Sequence, residues 1–213
     1  MSVDFPITAA VRFLREKKID FVPRLYDYVE KGGAKESARQ LGVDLHGVVK
    51  TLVFETNEKK PLIVLMHGDR EVSTKNLARY LGVKSVEPAT PEKATKLTGY
   101  QFGGTSPFGT RTSIPIYVEN TIFDLEKILI NGGKRGFLVE IEARVVQTLN
   151  TTVDFESQGT GGRIPLAPIA VLAEQVLALD PATRTLRPLS FTLKPTRVGL
   201  PLEGSIKATF DRC

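Results

Sequence analysis

The sequence predicts an α/β protein of the mixed α+β kind: a curled, barrel-like mixed β-sheet with helices packed outside it, plus a C-terminal extension. Three observations carry this. Residues 47–56, "GVVKTLVFET", and 60–68, "KPLIVLMHG", are runs of β-branched and aliphatic residues around a turn-like "NEK", which is the pattern of a hairpin. Further strand-like runs alternate with capped helical ones, so sheet and helices should form layers about one core. After about Glu156 the texture changes, since six of the thirteen prolines (165, 168, 181, 188, 195 and 201) fall in the last quarter of the chain.

Taken in order, Ile7, Ala10, Val11 and Leu14 recur at helical spacing behind Pro6, so residues 6–17 read as an amphipathic helix. "DFVPRLYDY" reads as a short extended segment broken at Pro23, because the residue before a proline avoids the helical region. "AKESARQLG" reads as a helix ended by Gly42. The hairpin follows. Ser73 then caps "STKNLARYLG", with Leu77, Tyr80 and Leu81 on one face and Gly82 at its end, and Thr90-Pro91 open a short helix to about Leu97. After the loop "TGYQFGGTSPFGT" come the strand "SIPIYVEN", the segment "TIFDLEKILI", a turn "NGGKRG", the strand "FLVEI" and a helix near 142–149. In the extension, "IAVLAEQVLALD" suits a helix or a buried strand, and the stretch from Leu186 reads as short strands punctuated by proline.

With 213 residues, 41% of them hydrophobic, the chain is long enough for one good core and a small appendage. The division expected is a main domain over 1–156 and an extension over 157–213, packed on the main domain. No apolar run approaches the roughly 20 residues of a membrane helix, and Asp4 interrupts an N-terminus with no basic region before an apolar block. Cys213 is the single cysteine, which rules out an internal disulfide and a cysteine-based metal cluster. A cytoplasmic location is expected. The net charge of +5 favours an anionic partner weakly; basic and acidic residues number 22 and 20 over 1–156, and 7 and 4 over 157–213.

Familiar chemical signatures are missing: no Gly-rich loop ends in GK[ST], and there is neither GxGxxG nor HExxH. His46 and His67 stand singly and suit structural roles. Ser106 in "GTSPF" lacks the glycine of a nucleophile elbow, so a serine hydrolase using His46 or His67 has little support. Two features remain. Lys50 lies inside an apolar strand, either snorkelling from an edge or held for an anion. "FGGTSPFG" and "NGGKRG" are either turns or loops whose N–H groups, with Lys134 and Arg135, can meet an oxyanion.

The collinear series "VVKTLVF", "STKNLARYLG", "TGYQFGGTSPFG", "IPIYVEN" and "NGGKRGFLVEI" resembles the YbaK/prolyl-tRNA editing family of aminoacyl-tRNA deacylases, from about Val3 to Glu156. The likeness is strongest to the branch that clears cysteine from tRNA(Pro); a sister branch clears alanine. The resemblance implies hydrolysis of the ester joining a wrong amino acid to the terminal ribose, with mischarged tRNA(Pro) as partner, prolyl-tRNA synthetase as a possible second partner, and no metal or cofactor. Matched by position, Lys50 is the essential lysine, Thr51 lies beside it and Tyr26 is a pocket tyrosine. Gly103 and Pro107 fit a G-x-x-x-P element enclosing Gly104, Thr105 and Ser106. Asn131 and Gly132 fall near the terminal adenosine. In the cysteine branch the substrate's own thiol is implied as nucleophile. Close relatives carry an aspartate two residues past the last glycine; this chain has Leu138 there, with Glu140 the nearest acid. A non-catalytic member that binds aminoacyl-tRNA or a nucleotide is the alternative.

Overall fold

In the computed structural model, residues 4–149 are described in full, and Thr152–Phe155, Leu177–Leu179 and Leu186–Pro188 by their backbone. The chain divides into two units, Met1–Pro165 and Leu166–Cys213.

Among the described residues, the first unit holds four α-helices and eight strands: α1 (Ala9–Glu16), β1 (Val22–Leu25), α2 (Gly33–Leu41), β2 (Val48–Thr56), β3 (Pro61–His67), α3 (Thr74–Leu81), β4 (Val86–Pro88), α4 (Pro91–Thr98), β5 (Ile116–Glu119), β6 (Lys127–Lys134), β7 (Phe137–Glu142) and β8 (Thr152–Phe155). The sheet runs β1-β7-β6-β2-β3-β5-β8, with β4 paired to β2 off that path. Pairs β2/β6, β3/β5 and β5/β8 are parallel and the others antiparallel. The mixed α/β architecture is therefore as expected, but β1 and β8, at the two ends of the path, do not pair with each other. The sheet is open, and the barrel-like description is not borne out.

Local chemistry explains most boundaries. The Thr8 hydroxyl accepts from Val11 N, so α1 starts after Thr8 and Pro6 lies outside it. Ser73 caps α3 and Thr90 caps α4 in the same way, each satisfying an amide left free by the first helical turn. Gly42, Gly82 and Gly99 end α2, α3 and α4 with left-handed φ. Three expectations are revised. "NGG" belongs to β6, where the register slips between Asn131 and Lys134, so the turn to β7 is shorter than "NGGKRG". The helix near 142–149 is a 3-10 turn, Ala143–Thr148, and "TIFDLEKILI" divides into a 3-10 turn, Asn120–Asp124, and the start of β6. Strands β4 and β8 add to the sheet where none was expected.

The core lies on both sheet faces. Ile63 and Leu65 of β3 join Ala10, Val11 and Leu14 of α1 on one side, while Leu62, Val64 and Met66 meet Leu77 and Ala78 of α3 on the other. This makes β3 a continuous apolar run. A third cluster joins Ala38 of α2 to Val48, Leu129 and Leu138. In the second unit, strands β9 (Leu177–Leu179) and β10 (Leu186–Pro188) pair antiparallel, Leu186 opposite Leu179. The rest of the segment expected to be helix or buried strand, and the packing of the extension on the main domain, lie outside the described residues. Among the described residues, no helix is long and apolar enough to cross a membrane.

Candidate active site

Strand β2 lies between β3 and two partners that each pair with only part of it. β6 pairs with Val48 and Val49; β4 pairs with Phe54, Glu55 and Thr56. Lys50 to Val53 are left without a strand neighbour on that edge. Ala89 N donates to Val53 O there at 2.9 Å, and backbone groups two residues apart on a strand point the same way, so the N–H and C=O of Thr51 also face the split. A cleft of about 630 Å³ occupies it, a volume suited to a small-molecule group.

Side chains alternate across a strand, so Val48, Lys50, Leu52 and Phe54 share one face. Val48 packs in the cluster with α2, while Leu52 and Phe54 pack in the cluster with α3. Lys50 stands in the gap between these clusters and lines the cleft. Its ammonium donates to the Arg70 carbonyl. Burial pushes the Lys50 pKa down from the ordinary lysine value, opposed by the carboxylates of Glu71 and Asp69. The reading of Lys50 as snorkelling from an edge strand is not met, because β2 is central in the sheet; the ammonium is part-buried and borders the cleft. Next to it, the Thr51 hydroxyl is buried and has no hydrogen-bond partner among the described residues. Leaving such a group unsatisfied costs about 1–3 kcal/mol. Tyr26 also lines the cleft, its backbone N–H held by Gly136 O at 3.0 Å, and burial raises its pKa.

The remaining predicted residues divide. Gly103, Thr105 and Asn131 line the cleft; Gly104, Ser106, Pro107 and Gly132 do not. The glycine loops instead close on each other. Asn131 Nδ2 donates to Gly103 O at 3.4 Å, and Arg135 Nε donates to Phe102 O at 2.8 Å. A Cβ on Gly104 would come within 2.9 Å of Arg135 N, and one on Gly132 within 2.5 Å of the Phe137 ring. Their glycines are thus required by loop packing, whatever they also offer a substrate. Tyr100 donates to Phe108 O at 2.5 Å and pins the loop from below.

Ser106 is fully buried, and its hydroxyl accepts from Phe108 N at 3.4 Å. Both histidines are engaged elsewhere. The rings of His46 and His67 stack at 3.7 Å and 12°, so the expectation that they stand singly is corrected. His67 Nδ1 donates to His46 O at 2.7 Å, its Nε2 meets Thr121 Oγ1 at 2.9 Å, and His46 Nδ1 faces Asp69 at 3.0 Å. A serine hydrolase built on Ser106 with either ring does not fit. The pair lies 21 residues apart in sequence and is brought together by the β2/β3 register, a signal no local spacing carries. Leu138 is buried and lines the cleft. Glu140 does not line it and is paired with Arg24 at 2.6 Å. The cleft's acids are Glu30 and Glu36, both missed by the sequence reading. The Arg39 hydrogen bond, with one from Gln40, pulls Glu36 down to about 2. Tyr28 was also missed, although "LYDY" places it two residues after Tyr26.

Comparison with known proteins agrees with this architecture. Residues 30–149 match the family model for the aminoacyl-tRNA editing domain. An Enterococcus faecalis protein, provisionally named Cys-tRNA(Pro)/Cys-tRNA(Cys) deacylase EbsC, is 29% identical over 143 residues, covering 67% of this chain and 87% of that protein. A proline–tRNA ligase of Brachyspira hyodysenteriae is 27% identical over 119 residues, 55% of this chain but 20% of the ligase. The crystal structure of a protein assigned provisionally as a trans-editing enzyme for prolyl-tRNA synthetase superposes with a TM-score of 0.63 at 23% identity, covering 73% of this chain and 100% of that one; this likeness speaks for the fold. The family model spans strands β2 to β7 and most of the cleft lining, and the chain belongs to the aminoacyl-tRNA editing domain family.

Proposed function

We propose that this aminoacyl-tRNA deacylase hydrolyses the ester of mischarged tRNA(Pro), with Cys-tRNA(Pro) as its favoured substrate. The observation that carries the reading is the open edge of β2, where the Lys50 ammonium and the unpaired strand backbone of Thr51 border one cleft. A carbonyl set there meets a cation and donors fixed before it arrives, the arrangement that stabilises charge developing on an ester oxygen. Lys50 acts by its charge. The substrate thiol adds to the ester carbonyl, its proton passes to the departing ribose hydroxyl, and the amino acid leaves as a cyclic thioester that water then opens. No protein nucleophile is needed, which accords with the buried Ser106. Val48, Ala34 and Leu138 give the cleft an apolar wall suited to a small side chain. The printed name of the Enterococcus faecalis relative supports cysteine as the residue removed.

Within this proposal Tyr26, Gly103, Thr105 and Asn131 bind the aminoacyl end, while Gly104, Ser106, Pro107 and Gly132 hold the loops that present it. Contact with prolyl-tRNA synthetase and a cytoplasmic site of action belong to the same proposal. It is tested by deacylation of Cys-tRNA(Pro) and Ala-tRNA(Pro), with Pro-tRNA(Pro) as the species to be spared. The expected result is rapid loss of Cys-tRNA(Pro), reduced by about 100-fold or more in Lys50→Ala. Preferential loss of Ala-tRNA(Pro) transfers the chain to the alanine branch. Hydrolysis of neither by folded protein overturns the catalytic reading in favour of a binding member of the fold.

A further inference from the structure

Lys50 owes its place to a chain of contacts that begins away from the cleft. The 3-10 turn Leu45–Gly47 leads into β2, and there Asp44 Oδ1 accepts from His46 N at 3.0 Å. The His46 carbonyl accepts from His67 Nδ1 at 2.7 Å, and the His46 ring lies on the buried His67 ring. Backbone and ring of His46 are thus both fixed. Its Nδ1 faces both carboxylate oxygens of Asp69 at 3.0 Å. An ionised carboxylate only accepts, so this Nδ1 carries the hydrogen. Asp69 sits in the turn after β3, which closes through Arg70 N to His67 O at 3.2 Å. That turn presses on the one before β2, since a Cβ on Gly68 would lie 2.5 Å from Leu45 O. From the same turn the Arg70 carbonyl receives the Lys50 ammonium.

We propose that His46 and Asp69 are positioning residues for Lys50: their bond holds the turn that places the Arg70 carbonyl, and with it the Lys50 ammonium, at the cleft. The inference rests on the editing reading for the reaction this positioning serves. Neither residue lines the cleft, so both act through Lys50. A lysine is a point charge on a flexible four-carbon stem, and a charge assists a transition state most when it is fixed beforehand. Asp69 is exposed, where a charged pair adds little to stability. What the bond supplies is position. Ligand atoms of His46, His67 and Asp69 also lie within 4.8 Å of one another, as those around a metal ion would. Both His67 nitrogens are taken, however, by His46 O and Thr121 Oγ1. Rings only 12° from parallel, moreover, do not aim their in-plane lone pairs at one ion.

The test uses the full chain and three variants. His46→Phe keeps the ring stack and loses the donor, His46→Asn offers an amide N–H in place of Nδ1, and Asp69→Ala removes the acceptor. In protein labelled at the lysine side-chain nitrogen, the Lys50 ammonium is followed by its proton–nitrogen NMR signal, identified by its absence in Lys50→Arg. Wild type should show this signal, its exchange with water slowed by the bond to Arg70 O. His46→Phe and Asp69→Ala should lose it and lower kcat on Cys-tRNA(Pro) by about 10- to 100-fold, with KM within about twofold of wild type. Their melting temperatures should move little, which separates misplacement from unfolding. His46→Asn should regain the signal and most of kcat. The proposal is overturned by a wild type without the Lys50 signal, by signal and kcat that survive in both His46→Phe and Asp69→Ala, or by His46→Asn no better than His46→Phe. Failure of the editing reading is read separately. A signal that follows His46 and Asp69 in a protein that hydrolyses no mischarged tRNA(Pro) upholds the positioning of Lys50 and rejects the catalysis. Hydrolysis that outlasts the lost signal rejects the positioning and leaves the editing reading standing.

Discussion

Lys50 and Thr51 are neighbours on β2 with opposite problems. One is a charge drawn into a part-buried place; the other is a hydroxyl buried without a partner. The lysine's native pKa is depressed chiefly by burial, so the ammonium is lost at a lower pH than the ordinary 10.5. If its charge assists the ester, kcat/KM falls as pH rises through that lowered value. Glu71 opposes the depression. Glu71→Gln should therefore move the alkaline limb of the pH–rate profile to still lower pH, and a limb that stays in place would deny Lys50 its electrostatic role. For Thr51 the expectation is a split between stability and activity. Thr51→Val removes an unsatisfied hydroxyl at nearly constant shape, so the melting free energy should be unchanged or higher by up to about 1 kcal/mol. Deacylation should fall if the hydroxyl meets substrate. A variant that loses stability and keeps its rate would show the hydroxyl to be structural. Lys50 was legible in the sequence as a cation in an apolar strand; its anchor, the Arg70 carbonyl, was not, because any residue supplies a carbonyl.

At the level of elements, what was legible followed from periodicity and caps. The β2/β3 hairpin and helices α3 and α4 stand where Ser73, Thr90 and the alternating aliphatic residues placed them. What was missed depended on partners distant in sequence. β4 is three residues long and exists through its pairing to the end of β2. "NGG" reads as a turn by composition, yet β7 draws it into a strand, and the Phe137 ring needs a residue without Cβ at Gly132. The histidine stack is a case of the same kind, joining the turn before β2 to the end of β3. Burial, its largest cause, lowers the His67 pKa from 6.5, with repulsion from His46 and Arg70 adding to it, while the hydrogen bond to His46 O and the Asp69 charge oppose it. A base depressed in the native state takes up its proton in the unfolded state first, so stability falls as pH drops from about 6.5 toward the lowered native value. Denaturant unfolding across that interval should show this slope in wild type. His67→Asn should reduce the slope whatever its effect on stability at neutral pH; an identical slope would assign the acid sensitivity to other groups.

Across the whole molecule, the family model ends at residue 149 and the first unit at Pro165. Between those limits β8 extends the sheet by pairing with β5. A chain stopped at 149 would leave the outer side of β5 without that partner, and an exposed strand edge invites pairing with other chains. A chain stopped after Pro165 keeps the strand. We propose that residues 1–156 form the editing domain and that 157–213 is an extension dispensable for the chemistry, since each residue lining the candidate site lies before Leu138 or at it. Removal of residues 166–213 should then leave one cooperative thermal transition and a single-turnover rate on Cys-tRNA(Pro) within about twofold of the full chain. The removed segment's six basic residues against four acidic ones give the test its second readout. If they meet tRNA phosphates, truncation raises KM and flattens its salt dependence while the single-turnover rate holds, because phosphate contacts govern affinity and its response to salt. A fall in the single-turnover rate itself would contradict dispensability, and would mean that the extension helps to shape the cleft around Lys50.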